Sequence, residues 1–473
     1  MITLQIVFEA LTGSAPDWPD MVITDAVVDS RKAIPGAMFV AIPGENVDGH
    51  DYVESAFSQG ACFALVQKEL HESLPSIDLR PETISFPKKK IETPCCLIVE
   101  NTVQALQKIA KYWRSKLDIR VIGITGSVGK TTTKELIASV LKSRYRTLKN
   151  SGNLNNEIGL PLTLMQMSQG HQRAVLEMGF YVPGEIDFLC DLAKPFIGVI
   201  TNIGTVHAER AGSQETIARG KTELVQALPP APDGVAILNY DDPLVREMAE
   251  KTEARCFFYG LDPKADLWAD NIEGLGLDGI RFRLHYEKET IHIRVPLIGR
   301  HSVHTALRAA AVGLVEELSW QEIVAGLRSG HTQLRLVAAK AKSGAILLDD
   351  TYNASPQSMM AALNLLDELD GRKIAVLGDM LELGRYERKS HQKIGMRAAS
   401  IADILITLGE RGKIMAEAAA LVGMPKDHIF SLENSESAIE FLHDYLNEGD
   451  VVLVKGSFGM NMGGIVAALE GRL

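Results

Sequence analysis

Short, wholly apolar runs alternate with longer amphipathic stretches over most of this chain. "IRVIGIT", "AILLDD", "KIAVLGD", "DILITLG" and "DVVLVKGS" read as strands bounded by turn residues. Between them "TVQALQKIAKYWRSKL", "TTTKELIASVLKS", "PQSMMAALNLLDEL" and "SAIEFLHDYL" read as helices with one apolar face. Alternation of this kind predicts parallel sheets covered by helices, so an α/β fold is expected throughout.

The spacing of these elements suggests three domains. In residues 1–99 the β-rich runs "AMFVAI", "ACFALV" and "CLIVE" are separated by Gly/Pro turns, which predicts a small N-terminal domain. A second domain is expected over 100–332, starting with the helix that leads into "IRVIGIT". A third, Rossmann-like α/β domain is expected over 333–473, although no GxGxxG opens it. The length of 473 residues agrees, at roughly 150 residues per domain.

Composition narrows the function classes. A formal net charge of −11 gives no general electrostatic reason to bind nucleic acid or an anionic membrane. Five cysteines, at 62, 95, 96, 190 and 256, form no CxxC pair, which predicts reduced thiols rather than a disulfide framework or a zinc site. No apolar run reaches the ~18 residues that span a bilayer, and the opening residues lack the basic start of a signal peptide. A soluble, cytoplasmic protein without membrane insertion is expected.

The chemistry starts at "GITGSVGKTTT". A strand precedes this turn, a helix follows, and the glycines free the backbone to wrap a phosphate with its N–H groups. Gly126, Ser127, Gly129, Lys130, Thr131 and Thr132 are therefore candidate nucleotide-binding residues, Lys130 bringing positive charge and Thr131 a hydroxyl for magnesium. The strict loop spacing asks for Gly where Ile124 stands, so this is a variant form. Further along, Glu177 closes "AVLEMG", His207 follows "IGVITNIG" and Lys221 lies in "ETIARGKTELVQAL". Strand ends are where open α/β sheets bind ligands, and a carboxylate suits magnesium. Spacing alone equally allows a surface acid, a loop histidine and a solvated helix lysine.

Taken in order, "GITGSVGKTT", "GNLNNEIGLPLTL", "LEMG" with "PGEID", "TNIGTVHAE", "GKTEL", "GRHSVHTALRAA", "LLDDTYNASPQSM" and "VLGDMLELG" resemble the Mur ligases over nearly the whole chain. "NNEIGLPLTL", "LEMG", "DDTYNASP" and "VLGDMLELG" place the resemblance nearest the branch that adds a dipeptide. The resemblance implies ATP-driven amide formation, in which UDP-N-acetylmuramoyl-tripeptide is activated as an acyl phosphate and D-alanyl-D-alanine displaces the phosphate. It implies two magnesium ions, held by Thr131, Glu177, His207 and a carbamylated Lys221. Carbamylation turns a neutral amine into an anionic two-oxygen group and requires the amine to be deprotonated some of the time.

The same resemblance implies that Lys130, Glu177, His207 and Lys221 carry catalysis, and that Arg335 and Asp350 contact the nucleotide. Asn155, Asn156, Tyr352 and Asn353 are expected to bind the peptide substrates. Ser30 and Arg31, in the "DSR" of an N-terminal segment like the family's UDP-muramoyl site, would bind the UDP-sugar. Lys455 falls near the substrate without an assigned step. Two departures stand out: Ser302 and Thr305 replace asparagines, the first of them an adenine contact, and Arg210 and Ala211 replace an apolar or glycine pair. A monomer that closes around its ligands is expected. The alternatives are a ligase adding a diamino acid to a UDP-muramoyl-dipeptide, and a catalytically inactive P-loop regulator.

Overall fold

The computed structural model describes residues 1–17, 20–44, 47–70, 74–80, 92–205, 208–329 and 337–470. They divide into two compact units: Met1–Gly123 with Tyr145–Gly179 and Gly184–Ile197, and Ile124–Arg144 with Phe180–Pro183 and Gly198–Leu473.

The first unit opens with a five-stranded sheet in the order Ala26–Val27, Met38–Val40, Phe63–Val66, Cys95–Ile98, Ser76–Asp78. Every pairing in it is parallel. Its inner strands are apolar at every position because both faces are covered. One face packs Phe39, Ala64, Val66, Cys96 and Ile98 against Val53 and Ala56. The helix Thr102–Ser115 starts where the Asn101 side chain accepts from Gln104 N at 2.9 Å. It buries Ala105, Leu106, Ile109, Ala110 and Trp113, a stripe at helical spacing. Also in this unit, Thr147–Lys149 pairs in parallel with Arg173–Glu177.

In the second unit the expected alternation breaks. Val235–Asn239, Arg255–Gly260 and Leu267–Gly274 pair in parallel, but Leu267–Gly274, Ile280–Tyr286 and Glu289–Val295 form an antiparallel meander. A parallel crossover needs a dozen or more residues, whereas Tyr286 and Glu289 are joined by Glu287 and Lys288 alone, with Glu287 at φ 50°. "IRFRLHY" alternates accordingly, burying Ile280, Phe282 and Leu284 and presenting Arg281 to solvent.

The same unit carries a six-stranded sheet in the order Val337–Lys340, Ile346–Asp349, Asp450–Lys455, Arg372–Gly378, Ile404–Leu408, Ile429–Leu432. Only the first pairing is antiparallel. Alternate residues serve opposite faces. Leu348, Ala375, Leu377, Leu405 and Leu453 pack on the helices Pro356–Glu368, Glu387–Ala399 and Gly412–Leu421. Leu347, Ile374, Val376, Ile406 and Val454 pack on Ser435–Tyr445 and Gly463–Leu469. Inserting the last strand, Asp450–Lys455, between two earlier ones creates a topological switch point, where such sheets bind ligands beyond their carboxyl ends. No helix among the described residues is long and apolar enough to cross a membrane.

Candidate active site

The strand Arg120–Thr125 enters a tight turn, from which the helix Lys130–Leu141 leaves. Gly126 sits at φ 147°, and a Cβ built on it would lie 1.8 Å from Thr201 Oγ1, so no other residue fits without moving that brace. Gly129 starts the helix at φ 84° without a side-chain cap, which leaves the first N–H groups and the positive end of the helix turned to the loop. Lys130 folds back, its Nζ donating to Gly126 O at 2.8 Å. Thr131 and Thr132 follow it in the first helical turn, both half-buried.

A polar segment just past the strand Ile197–Ile200 holds the turn in shape. Thr201 Oγ1 donates to Val128 O at 2.7 Å and Ser127 N donates to Asn202 O at 2.9 Å. Val128 N donates to Asn202 Oδ1 at 3.0 Å, and Gly204 N donates to Ser127 Oγ at 2.8 Å. Thr201 and Asn202 escaped the sequence reading; the polar pair that ends the apolar run "IGVI" was the available signal.

Lys221 lies on the helix Gln214–Gln226, which Ser213 caps through its Oγ accepting from Thr216 N at 3.1 Å. Its side chain is buried, 1 % exposed, with Nζ 4.6 Å from the centre of the Phe180 ring. The solvated-lysine alternative is therefore excluded. Arg210 stacks 4.7 Å over Tyr181, which gives this departure from the family pattern a local packing role. His207 and Arg335 lie outside the described residues.

In the first unit Glu177 ends its strand 3 % exposed, which excludes a surface acid. Asn155 Nδ2 donates to its Oε1 at 3.0 Å, and Glu177 N donates to Asn150 Oδ1 at 2.9 Å. Asn155 thus orients the acid here, and Asn156 Oδ1 accepts from Gly159 N at 2.9 Å where the helix Gly159–Met165 begins. Asn150 was not anticipated from sequence. Ser30 is buried in a short turn of helix. Arg31, whose side chain is exposed, pairs with Asp29 through two 2.9 Å hydrogen bonds that hold the Asp29 carboxyl below its ordinary range.

At the switch point of the six-stranded sheet, Lys455 Nζ lies 2.7 Å from Asp350 Oδ2 and donates to Asn353 O at 2.8 Å. Lys455 is 1 % exposed, so this ion pair fixes the "DDTYN" turn from beneath. Tyr352 is exposed, its ring 6.1 Å from that of Phe458. The helix Pro356–Glu368 follows, closed by a Ser355/Ser358 capping box. Its Gln357 packs against Gly204, so the structure brings this turn toward the segment bracing the phosphate loop.

Ser302 Oγ donates to Ile298 O at 2.7 Å and Thr305 Oγ1 accepts from Arg308 Nη2 at 2.8 Å. Both hydroxyls are thus engaged within the protein. Among the described residues no group of three or more His, Cys, Asp or Glu is arranged to hold a metal ion.

A braced phosphate loop with a buried lysine in the same unit, set on α/β sheets, points to the class of nucleotide-dependent enzymes. Family models narrow it. The Mur ligase family catalytic-domain model matches residues 23–114, the Mur ligase middle domain 124–313 and the glutamate ligase domain 334–458. The UDP-N-acetylmuramoyl-tripeptide--D-alanyl-D-alanine ligase of Bacillus subtilis (strain 168) is 36% identical, with 99% of this chain and 98% of that one covered. A crystal structure of MurF from Acinetobacter baumannii superposes with a TM-score of 0.81 at 30% identity, covering 98% of each chain. MurF ligase from Thermotoga maritima, solved in complex with ADP, gives 0.78 at 25% identity over 94% of this chain and 96% of that one. The chain belongs to the Mur ligase family.

Proposed function

We propose that this chain is an ATP-dependent amide ligase joining D-alanyl-D-alanine to the terminal carboxylate of UDP-N-acetylmuramoyl-tripeptide. The observation that carries this reading is the full-length likeness to a ligase of that name. We assign the UDP-substrate to residues 1–99, ATP to 100–332 and the closing ligase domain to 333–473.

The substrate carboxylate attacks the γ-phosphorus of ATP, releasing ADP and leaving an acyl phosphate. The dipeptide amine then attacks the acyl carbon, loses a proton and expels phosphate. Several negative charges must converge for the first step, so catalysis is mainly charge neutralisation and alignment. Lys130 and the N–H groups of Gly126, Gly129, Thr131 and Thr132 supply donors to the phosphates, while the Ser127 N–H, held by Asn202 O, keeps the loop in shape around them. Its bond to Gly126 O shows Lys130 already folded over the loop.

Magnesium fits the donor chemistry. It takes oxygen ligands and keeps several waters and phosphate oxygens, so a dense carboxylate cage is not required. Thr131, Glu177, His207 and carbamylated Lys221 would hold two ions, which when bound neutralise charge on the reacting phosphate. Arg335, Asp350, Tyr352 and Asn353 contact ATP and the incoming dipeptide in this reading, and Ser30, Arg31, Asn155 and Asn156 the UDP-muramoyl-peptide. The test is phosphate release from ATP with UDP-muramoyl-tripeptide, with and without D-alanyl-D-alanine, beside UDP-muramoyl-dipeptide plus a diamino acid. Release with the first pair alone, and a pentapeptide product by mass, is expected. Release with the second pair alone, or with neither, refutes the reading.

A further inference from the structure

The helix Val303–Val315 carries an arginine that the chemistry above does not use. Arg308 is 4 % exposed, yet no carboxylate among the described residues lies within ion-pair distance of it. Its Nη2 donates to Thr305 Oγ1 at 2.8 Å, its Nη1 to the Tyr259 hydroxyl at 3.3 Å, and its buried Nε has no hydrogen-bond partner among the described residues. A guanidinium removed from water and matched, among the described residues, by two neutral hydroxyls and the Tyr259 ring 5.8 Å away is costly, and five fixed donors look for an anion.

Its surroundings say where that anion sits. A Cβ built on Gly129 would lie 3.4 Å from Arg308 Nη2, which puts the guanidinium against the residue that starts the phosphate-loop helix. Tyr259, fully buried, is in turn anchored by its hydroxyl donating to Ile200 O at 3.1 Å and Thr201 O at 3.2 Å, beside the Thr201 that braces Gly126 and Val128. The arginine is thereby held in place from two sides rather than free to swing to solvent. Nearby, reduced solvation together with His304, Arg308 and Lys455 pushes the His301 imidazole down to about 4.

We propose that Arg308 is a nucleotide-binding residue, whose guanidinium donates to the phosphate chain held by the loop Gly126–Lys130. This inference rests on the nucleotide site of the functional reading above. It also gives the Thr305 departure a purpose, since a hydroxyl accepts from the guanidinium where an amide would also present donors toward it. Bound phosphate supplies the negative charge that no carboxylate among the described residues brings to Arg308.

Calorimetric titration of wild-type, R308M and R308K chains with Mg-ADP and with adenosine tests this. R308M is expected to weaken Mg-ADP binding about 10- to 100-fold, the range for hydrogen bonds to charged groups, and to leave adenosine binding unchanged. R308K, with a charge but no fork, is expected to fall between the two. The unliganded R308M chain should melt no lower than wild type, because an uncompensated buried charge has been removed. Mg-ADP affinity unchanged in R308M, or adenosine and Mg-ADP weakened alike, overturns the assignment. Should R308M not fold, R308K decides alone: wild-type Mg-ADP affinity in it counts against a forked phosphate contact. A wild-type chain that binds no Mg-ADP refutes the ligase reading itself, a result distinct from either failure.

Discussion

Gly220→Ala offers a test in which two effects of known size oppose one another. In the interior of an exposed helix the substitution gains about 1 kcal/mol, because glycine is the poorer helix former. Gly220 lies in the middle of the helix Gln214–Gln226, but it is not exposed. A Cβ there would stand 2.0 Å from Phe180 Cε2, 2.7 Å from Cζ and 3.0 Å from Cδ2. Carbon atoms rest about 3.5–4.0 Å apart, so the ring must retreat by about 1.5 Å or the helix must shift. Overpacking costs ~1–3 kcal/mol, and an approach this close belongs at the upper end. Offsetting ~3 kcal/mol by the ~1 kcal/mol of helix propensity leaves the variant about 2 kcal/mol less stable. Native-state hydrogen exchange of the amides between 214 and 226 reads this locally, as a protection about 30-fold lower. Because the retreating ring is the one over Lys221 Nζ, turnover should fall as well. Amides in that helix protected more strongly in the alanine variant would refute the packing argument.

Lys130→Ala should lower phosphate release at least ~100-fold, as loss of a main donor to developing charge does; steady-state assay at saturating ATP checks it. Lys221→Ala should impair turnover and recover in part with added short carboxylates, and an unimpaired variant would end the carbamate proposal. His391 is fully buried, with Nε2 accepting from Met380 N at 3.0 Å, and burial lowers its pKa below the ordinary histidine value. The folded state therefore binds fewer protons than the unfolded state, and stability should fall as pH drops below ~6.5. An NMR titration placing the His391 midpoint at or above the ordinary value would contradict this. Burial also pushes the Cys95 thiol up to about 12 and the Cys96 thiol up to about 11. Iodoacetamide at pH 8 should label both at least ~100-fold more slowly in the folded chain than in urea, as followed by mass.

The sequence by itself determined what is local. The phosphate loop was legible because its strand, glycine turn and helix are contiguous, and left-handed or crowded backbone at Gly126 and Gly129 leaves few residue choices. The sheet and helix runs were legible for a similar reason: apolar periodicity reports which faces are covered. Strand direction in "IRFRLHY" and "ETIHIRV" was less so, since the expectation of parallel pairing ignored a link too short for a crossover.

Only the tertiary structure decided what depends on distant residues meeting. Lys455 and Asp350 are far apart in the chain and become an ion pair because the last strand inserts at the switch point. Glu177 receives Asn155 and Asn150 through a loop that returns to its strand end. On its helix Arg308 reads as one charge among alanines. Thr305, one turn back on the same helix, is within reach of sequence reasoning, but the burial of Arg308 against Tyr259 and Gly129 arises only where that helix, a strand and the phosphate loop converge.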